Sequence, residues 1–532
     1  MACVGRRGVD ARPSAPDLGR PPQIRRYTPG VARISIDRVR LAALVALFLL
    51  AVAVSLELAR PFRSASIAFD SQVAVLHFER IVNGHRIERF VTTTPKPLLT
   101  VIYGLLYALT NDWRPIAWAT ILAFGLGIAG VGALINRVAG PVAGAFAAVA
   151  VLAAPTLLFD VGYALATPWA LLCWVAAGLA VTVERPRYGL AGLALLLASL
   201  ARIETLVVVG LAFVVLAMAS VARRPIPRRA WLVPLVALGA LPVMCLHDWL
   251  LSGDPLLWST VAIRYSQTTD NAILSPGQVI LFLVGRYSAV GTITLLAIFG
   301  MARLVVGRRY ALAVGLLGLG PGVAAFLILL AMRGIFVSDR YVAAIDIAVL
   351  AAAGIGLGGL SVAWLDRSVE RLRVARWSSG GRQGLAVTVS VVAAIVLAWP
   401  RGPFDPTLRK EVRNNLEAAI DADRAVPILS ASLMTSAGLA PPVMLVPTSV
   451  WPRLVVDLGV PLTAIDGTDR MTVAPAAGVP RAGQIVYHDR RAEGRPDALA
   501  AFEIAAPTKL GGLTLDPLAA DSGRGFWIVA VR

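Results

Sequence analysis

Charge is scarce in this chain. Only 15% of its 532 residues are Asp, Glu, Lys or Arg, where a soluble domain carries about 25%. Residues are 57% hydrophobic and mean hydropathy is +0.72, which excludes an ordinary soluble globule and points to a polytopic membrane protein. Acids are scarcer still, 32 against 50 Lys and Arg, leaving a net charge of +18. In a soluble protein that surplus would suggest nucleic acid. Here the basic residues stand between apolar runs, where they set topology instead, and no nucleic-acid partner is expected. Cysteine is nearly absent. Cys3, Cys173 and Cys245 have neither metal-site spacing nor a disulfide framework. There is no P-loop, GxSxG, HExxH or CxxC in a fitting context, so nucleotide hydrolysis and serine acyl transfer find no support. No internal repeat is visible, and no small-residue cleavage site follows the first apolar run.

What the chain does have is apolar runs. Residues 1–40, rich in Arg, Pro and Gly, read as a disordered basic tail on the cytoplasmic side. Leu41–Ala59 reads as an uncleaved first span. Further spans are expected at Pro115–Ile135, Val142–Phe159, Ala164–Val183, Tyr188–Leu200, Ile203–Val221, Trp231–Leu250, Gly277–Val305, Tyr310–Met332, Tyr341–Trp364 and Gly384–Trp399. Crossing a bilayer takes about 20 residues, so Pro97–Thr110 is short. It reads as a helix at the outer interface, where Tyr103, Tyr107 and Trp113 suit it. With the basic connectors all inside, the spans alternate without conflict and number about eleven. The expected fold is therefore an all-α polytopic domain over residues 41–400. Residues 401–532 mix polar and apolar positions and read as a small α/β extracytoplasmic domain. Leu416–Ala422 looks helical there, and Val443–Val446, Ile485–Tyr487 and Phe526–Val531 look like strands. The localisation expected is the plasma membrane, with the N-terminus cytoplasmic.

The polar residues concentrate in the outward connectors, above all in the loop 60–97. Asp70 follows the first span closely, and a carboxylate there can serve as a general base or cap a helix starting at Ser71. Lys96 stands between Pro95 and Pro97. It can hold a lipid phosphate as a point charge or snorkel at a helix start. Arg202 and Glu204 in LARIETL meet at an outward junction of two spans, as functional groups or as a structural ion pair. His247, Asp248 and Asp254 lie in CLHDWLLSGDPLLW, where Gly253-Asp254-Pro255 reads as a turn. Arg264, Tyr265 and Asp270 line a cavity or face water. Arg340 and Tyr341 open the tenth span in SDRYVAAI. An outward arginine fits either a bound anion or a salt bridge with Asp339 or another acid.

Taken in order, these features resemble the GT-C superfamily of polytopic glycosyltransferases that use polyprenyl-phosphate sugars. That superfamily includes protein O-mannosyltransferases, lipid A aminoarabinose transferases and actinobacterial arabinosyl- and mannosyltransferases. The resemblance rests on IAFDSQ, VAVLHFERIVNGH, TTPKPLLTVIYGLLYALT, NDWRPIAWATIL, LARIETL, SGDPLLW and DRYVAAI, over roughly residues 41–365. It implies an inverting transfer of sugar from a polyprenyl-phosphate donor to an extracytoplasmic glycan, lipid or protein acceptor. Asp70 would be the base, with Lys96, Arg340 and Arg202 on the phosphate. Glu79, His85, Asp160, Glu204, His247, Asp248, Arg264, Tyr265 and Tyr341 would be substrate-side candidates. Two departures stand out. Ser71 occupies the position where members often carry a second acid, and Thr167-Pro168-Trp169 replaces Thr-Pro-Asp. Asp160 or Glu79 could take the second acid's place, and a divalent cation, Mg or Mn, stays open. The Arg-, Ala- and Gly-rich usage suits a high-GC bacterium such as an actinomycete, and with it a mannose or arabinose donor. A lipid-linked sugar transporter and a non-catalytic envelope assembly protein are the alternatives.

Overall fold

The computed structural model describes residues 38–62, 64–87, 96–268, 274–335, 337, 339–372, 387–389, 391–392, 394, 406–435, 444–447, 449–467, 482–489, 509–510, 513–521 and 526–532. Two compact units divide the chain. Met1–Ala42 contributes only the first residues of helix α1 (Arg38–Ala59) to the described set. Everything below concerns Ala43–Arg532. Residues 1–37 of the expected basic tail, most of the span Gly384–Trp399, and Asp270 lie outside the described residues, and Arg38–Arg40 of that tail are helical in α1.

Prolines start the helices, as their fixed φ and missing N–H favour. They stand at the first turn of α3 (Pro97–Thr110), α4 (Arg114–Ala139), α5 (Pro141–Leu152), α6 (Pro155–Gly162) and α7 (Thr167–Thr182). Then come α8 (Tyr188–Ala201), α9 (Thr205–Val221), α10 (Leu232–Leu238), α11 (Ala240–Ser252), α12 (Leu257–Thr268), α13 (Pro276–Ser288) and α14 (Gly291–Val306). Tyr310–Leu317 is α15 and Val323–Met332 is α16, joined by a π-helical turn at Gly318–Gly322 around Pro321. Helix α17 runs from Ala343 to Leu372. Among the described residues, five helices are long and apolar enough to cross a membrane, or seven if each of two bent pairs counts as one span.

Two of the expected spans are bent. Val142–Phe159 is broken before Pro155, where α5 and α6 meet at 56°, because proline cannot continue the hydrogen-bond ladder. Gly277–Val305 is broken before Gly291, where α13 and α14 meet at 93°. The connector between α11 and α13 carries a further helix, α12.

Small residues let these helices touch backbone to backbone, the packing that suits a lipid environment. A Cβ on Gly300 would lie 1.9 Å from the Ala352 carbonyl oxygen, and one on Gly356 would lie 2.1 Å from that of Leu296. Helices α14 and α17 therefore interlock through glycine. Gly144 meets the Gly132 carbonyl in the same way between α5 and α4, with 2.6 Å to a built Cβ.

The C-terminal part is α/β. Helix α18 (Pro406–Thr435) precedes strand β1 (Met444–Val446), helix α19 (Trp451–Leu458) and strand β2 (Ile465–Gly467). Strands β3 (Ile485–Asp489), β4 (Lys509–Leu510), β5 (Leu513–Asp521) and β6 (Phe526–Val531) complete a sheet of order β2-β1-β3-β6-β5-β4. Strand β1 runs parallel to β2 and β3, and the remaining pairs are antiparallel. Alternation along the strands builds two apolar faces. One gathers Leu445, Val486, Trp527 and Val529. The other gathers Met444, Val446, Ile485, Tyr487 and Ile528 with α18, α19 and two residues of helix α2 (Phe69–Val82), Val73 and Leu76.

This packing yields a prediction. Gly356→Val drives a branched side chain into the Leu296 carbonyl and should lower thermal stability by at least the 1–3 kcal/mol of about one overpacked core site. Gly315→Ala, where a Cβ meets nothing within 4 Å, should leave stability unchanged or raise it. Melting of both variants in detergent micelles checks the contrast.

Candidate active site

Helix α2 is the platform. It starts after Ala68, whose extended backbone makes it the N-cap, so Asp70 lies in the first turn rather than capping a helix from Ser71. A carboxylate there is favoured by the helix dipole. Residues 70, 74 and 77 fall on one face at 100° per residue, and 69, 72, 73, 76 and 80 fall on another. The second face enters the sheet domain. Phe69 meets Trp451 edge to face at 5.8 Å, and Gln72 donates to the Ser449 carbonyl at 3.0 Å and accepts from the Arg453 amide at 3.2 Å. Asp70 is thereby turned away from the sheet.

Asp70 meets two cations that arrive from distant parts of the chain. Lys96, the N-cap of α3, donates through Nζ to Asp70 Oδ2 at 3.2 Å. Arg340, in the 3-10 turn Asp339–Val342 before α17, reaches the same oxygen through Nη1 at 3.4 Å. The three side chains are 27%, 22% and 45% exposed, in the order Asp70, Lys96 and Arg340. That is enough for a ligand to reach them. A half-exposed carboxylate beside a lysine and an arginine can accept a proton, and the two cations can hold an anion.

Behind this group lies a buried one. Arg202, in the turn between α8 and α9, donates through Nε to Glu204 at 2.5 Å. Its Nη1 donates to Thr167 and reaches Asp160 at 3.4 Å, and Thr167 in turn donates to Asp160. Its Nη2 donates to the Arg340 carbonyl at 3.0 Å. Every guanidinium nitrogen thus has a protein partner. These contacts form a buried ion-pair group with Glu204 and Asp160. Asp160, expected in a loop, is in the last turn of α6 and fully buried. Ser71, at the second-acid position, is also buried and donates to the Ala164 carbonyl at 2.7 Å. Glu79 lies nine residues beyond Asp70, half a turn round the helix, and cannot share its site. Burial raises the Glu79 carboxyl above its ordinary range, against the pull of Arg80 and His85.

A third cluster sits along α2 and α11. His247 bonds Asp248 through Nδ1 and Thr100 through Nε2, each at 3.2 Å. Asp248 also accepts from the Trp258 amide at 2.8 Å. His77 was not among the sequence candidates, yet it packs edge to face on His247 at 6.1 Å and is buried, with Nε2 lacking a hydrogen-bond partner among the described residues. Only its spacing of two turns from Asp70 could have marked it. The turn after α11 behaves as expected. Gly253 adopts φ +80°, and the Asp254 side chain accepts from the Leu256 amide at 2.8 Å. A Cβ at Gly253 would strike Arg86 at 2.8 Å, so the loop after α2 rests on this turn. His85 is exposed at the end of α2. Tyr341 follows Arg340 in its turn. Arg264 and Tyr265 fall on α12, with side chains outside the described set.

Sequence reasoning also missed a buried group within the spans. Asp346 accepts from Arg286 at 2.6 Å, Tyr287 at 2.8 Å and Thr156 at 2.8 Å, joining α17, α13 and α6. An acid and an arginine inside apolar runs were the available signal. Among the described residues no three His, Cys, Asp or Glu side chains gather as a metal site. The described partners of Asp70 are Lys96 and Arg340, so the described residues do not fit a divalent ion, and no step is derived through one.

Desolvation, with His247 and Lys96 nearby, holds the His77 imidazole well below its ordinary value. The unfolded chain then binds a proton that the native state refuses, so stability falls as pH drops below about 6.5. His77→Gln should flatten that acid-side decline, by at most about 1.4 kcal/mol per pH unit. Melting curves of wild type and variant between neutral and mildly acidic pH provide the measurement.

No family model matches the chain, and no curated protein matches it. Solved structures do. ArnT from Cupriavidus metallidurans bound to undecaprenyl phosphate is 15% identical with a TM-score of 0.46, over 92% of this chain and 97% of that one. The apo oligosaccharyltransferase of Archaeoglobus fulgidus is 12% identical with a TM-score of 0.49, over 84% and 69%. The same organism's AglB, in complex with an inhibitory peptide and a dolichol-phosphate, is 14% identical with a TM-score of 0.43, over 71% and 60%.

Proposed function

We propose that the protein is a membrane glycosyltransferase that moves a sugar from a polyprenyl-phosphate donor to an extracytoplasmic acceptor, a glycan, lipid or protein. The observation that carries this reading is the meeting of Asp70, Lys96 and Arg340 at one accessible point. A phosphate ester needs cations at its leaving group, and an acceptor hydroxyl needs a base. The site offers both within about one sugar's reach.

The reaction is a direct displacement with inversion. The acceptor oxygen bonds to the anomeric carbon as the bond from that carbon to the phosphate oxygen breaks, with its electron pair leaving on the phosphate. Lys96 and Arg340 offset the charge that develops there. Asp70 takes the acceptor proton. The donor phosphate engages the two cations that otherwise hold Asp70, so donor binding frees the carboxylate for this task. A mannose or arabinose donor is the sugar class we favour.

The topology that places this chemistry outside has about eleven spans, with Pro97–Thr110 at the outer interface. A reporter fused after Trp399 should then lie outside, and one at Ile226 inside. Both on the same side would refute the arrangement.

The function class is decided by Asp70→Asn, assayed beside Lys96→Ala. Asparagine keeps size and most hydrogen bonding but accepts no proton, and losing a general base lowers transfer about 10²–10⁴-fold. The variant should stay folded and still bind polyprenyl phosphate. Lys96→Ala should weaken donor use with folding intact. A transporter needs no base, so near-normal transport by Asp70→Asn with no sugar transfer by the wild type would favour that reading instead.

A further inference from the structure

Arg340 is the least enclosed member of the site, with its side chain 45% exposed. It sits in a four-residue 3-10 turn, which by itself does little to aim a long side chain. Besides the ion pair with Asp70, two contacts among the described residues aim it. The guanidinium lies 5.7 Å from the Phe159 ring centroid, a cation–π distance. The backbone carbonyl accepts from Arg202 Nη2 at 3.0 Å. Arg202 is itself held through Glu204, Asp160 and Thr167. Phe159 and Asp160 are adjacent in α6, so one helix end fixes both the ring under Arg340 and the acid behind Arg202.

We infer that Arg202 is a positioning residue. Its buried fork holds the Arg340 carbonyl and so sets where the Arg340 guanidinium meets the donor phosphate beside Asp70. This rests on the reading of Lys96 and Arg340 as phosphate ligands. The residue type is telling. A guanidinium presents donors in a rigid plane and can bond two acids, a hydroxyl and a carbonyl together. A lysine ammonium is a point charge on a flexible stem and cannot reproduce that fork. The burial is equally telling. Arg202 is 9% exposed, and Asp160 and Glu204 are 1% and 3% exposed, so the group is shielded from solvent.

The experiment is a double-mutant cycle on the purified full chain, with undecaprenyl phosphate in detergent micelles as the binding probe. Arg340→Gln should weaken binding roughly 10-fold or more, the loss expected for one charge-assisted hydrogen bond. Arg202→Lys should weaken it several-fold in the wild-type background. In the Arg340→Gln background it should have no further effect, because there is no longer a guanidinium to aim. Thr167→Ala, a milder loosening of the same clamp, should act in the same direction and show the same dependence on Arg340. Melting temperature is recorded for each variant. Equal losses in both backgrounds would mean that Arg202 acts directly or through general stability, and would overturn the inference. So would unchanged binding by Arg202→Lys and Thr167→Ala, or failure of both to fold. If Arg340→Gln and Lys96→Ala both bind normally, the phosphate reading fails first, and the positioning role falls with it.

Discussion

Asp70, Asp160 and Glu204 are matched by Lys96, Arg202 and Arg340 in a single linked network. Among the described residues it sets three acids against three bases. That balance is a requirement, since an unpaired charge taken out of water costs several kcal/mol and removing one partner of a buried pair costs about 3–5 kcal/mol. The network ties together the start of α2, the start of α3, the end of α6, the turn between α8 and α9, and the turn before α17. These segments are held in register by charge at the place where apolar packing between helices ends. Its inner half is buried and its outer half is open to a ligand.

Helix α2 carries this arrangement because its two faces answer to different neighbours. Val73 and Leu76 complete the core of the sheet domain, while Ala74 and Val75 join the core of the helical domain. The sheet domain is anchored beside it by Arg453, which pairs with Asp423 and Asp457 and lies over Trp113. Asp457 accepts from both Tyr107 and Trp113, so the same acid ties α19 to α3 and to the start of α4. Rotation of α2 would uncover apolar surface on both sides. Asp70 is therefore directed by packing rather than by its own hydrogen bonds.

Much of this was legible in the chain itself. Apolar runs marked the helices, because burial in lipid leaves a composition that solvent-facing helices lack. The continuous apolar run Phe526–Val531, rich in β-branched and aromatic residues, marked a strand. Asp70, Lys96 and Arg340 were visible as polar residues stranded next to apolar runs. The bend in Gly277–Val305 was not legible, since it depends on what packs against α13 and α14. Strand β5 was hidden by Pro517 and its acids, and pairing with β6 reveals it.

The sequence by itself determined that this chain belongs in a membrane, where its helices begin, and which few charged residues stand out for function. Those properties are local, arising from composition and from the backbone limits of proline and glycine. Tertiary structure alone decided the roles. Lys96 and Arg340, separated by 244 residues in the chain, meet at one carboxylate oxygen, and Arg202, equal to them on paper, is turned inward to hold Arg340. A residue's identity gives the charge it carries. Its function depends on whether that charge faces another residue or open space, and this is settled only when distant segments pack.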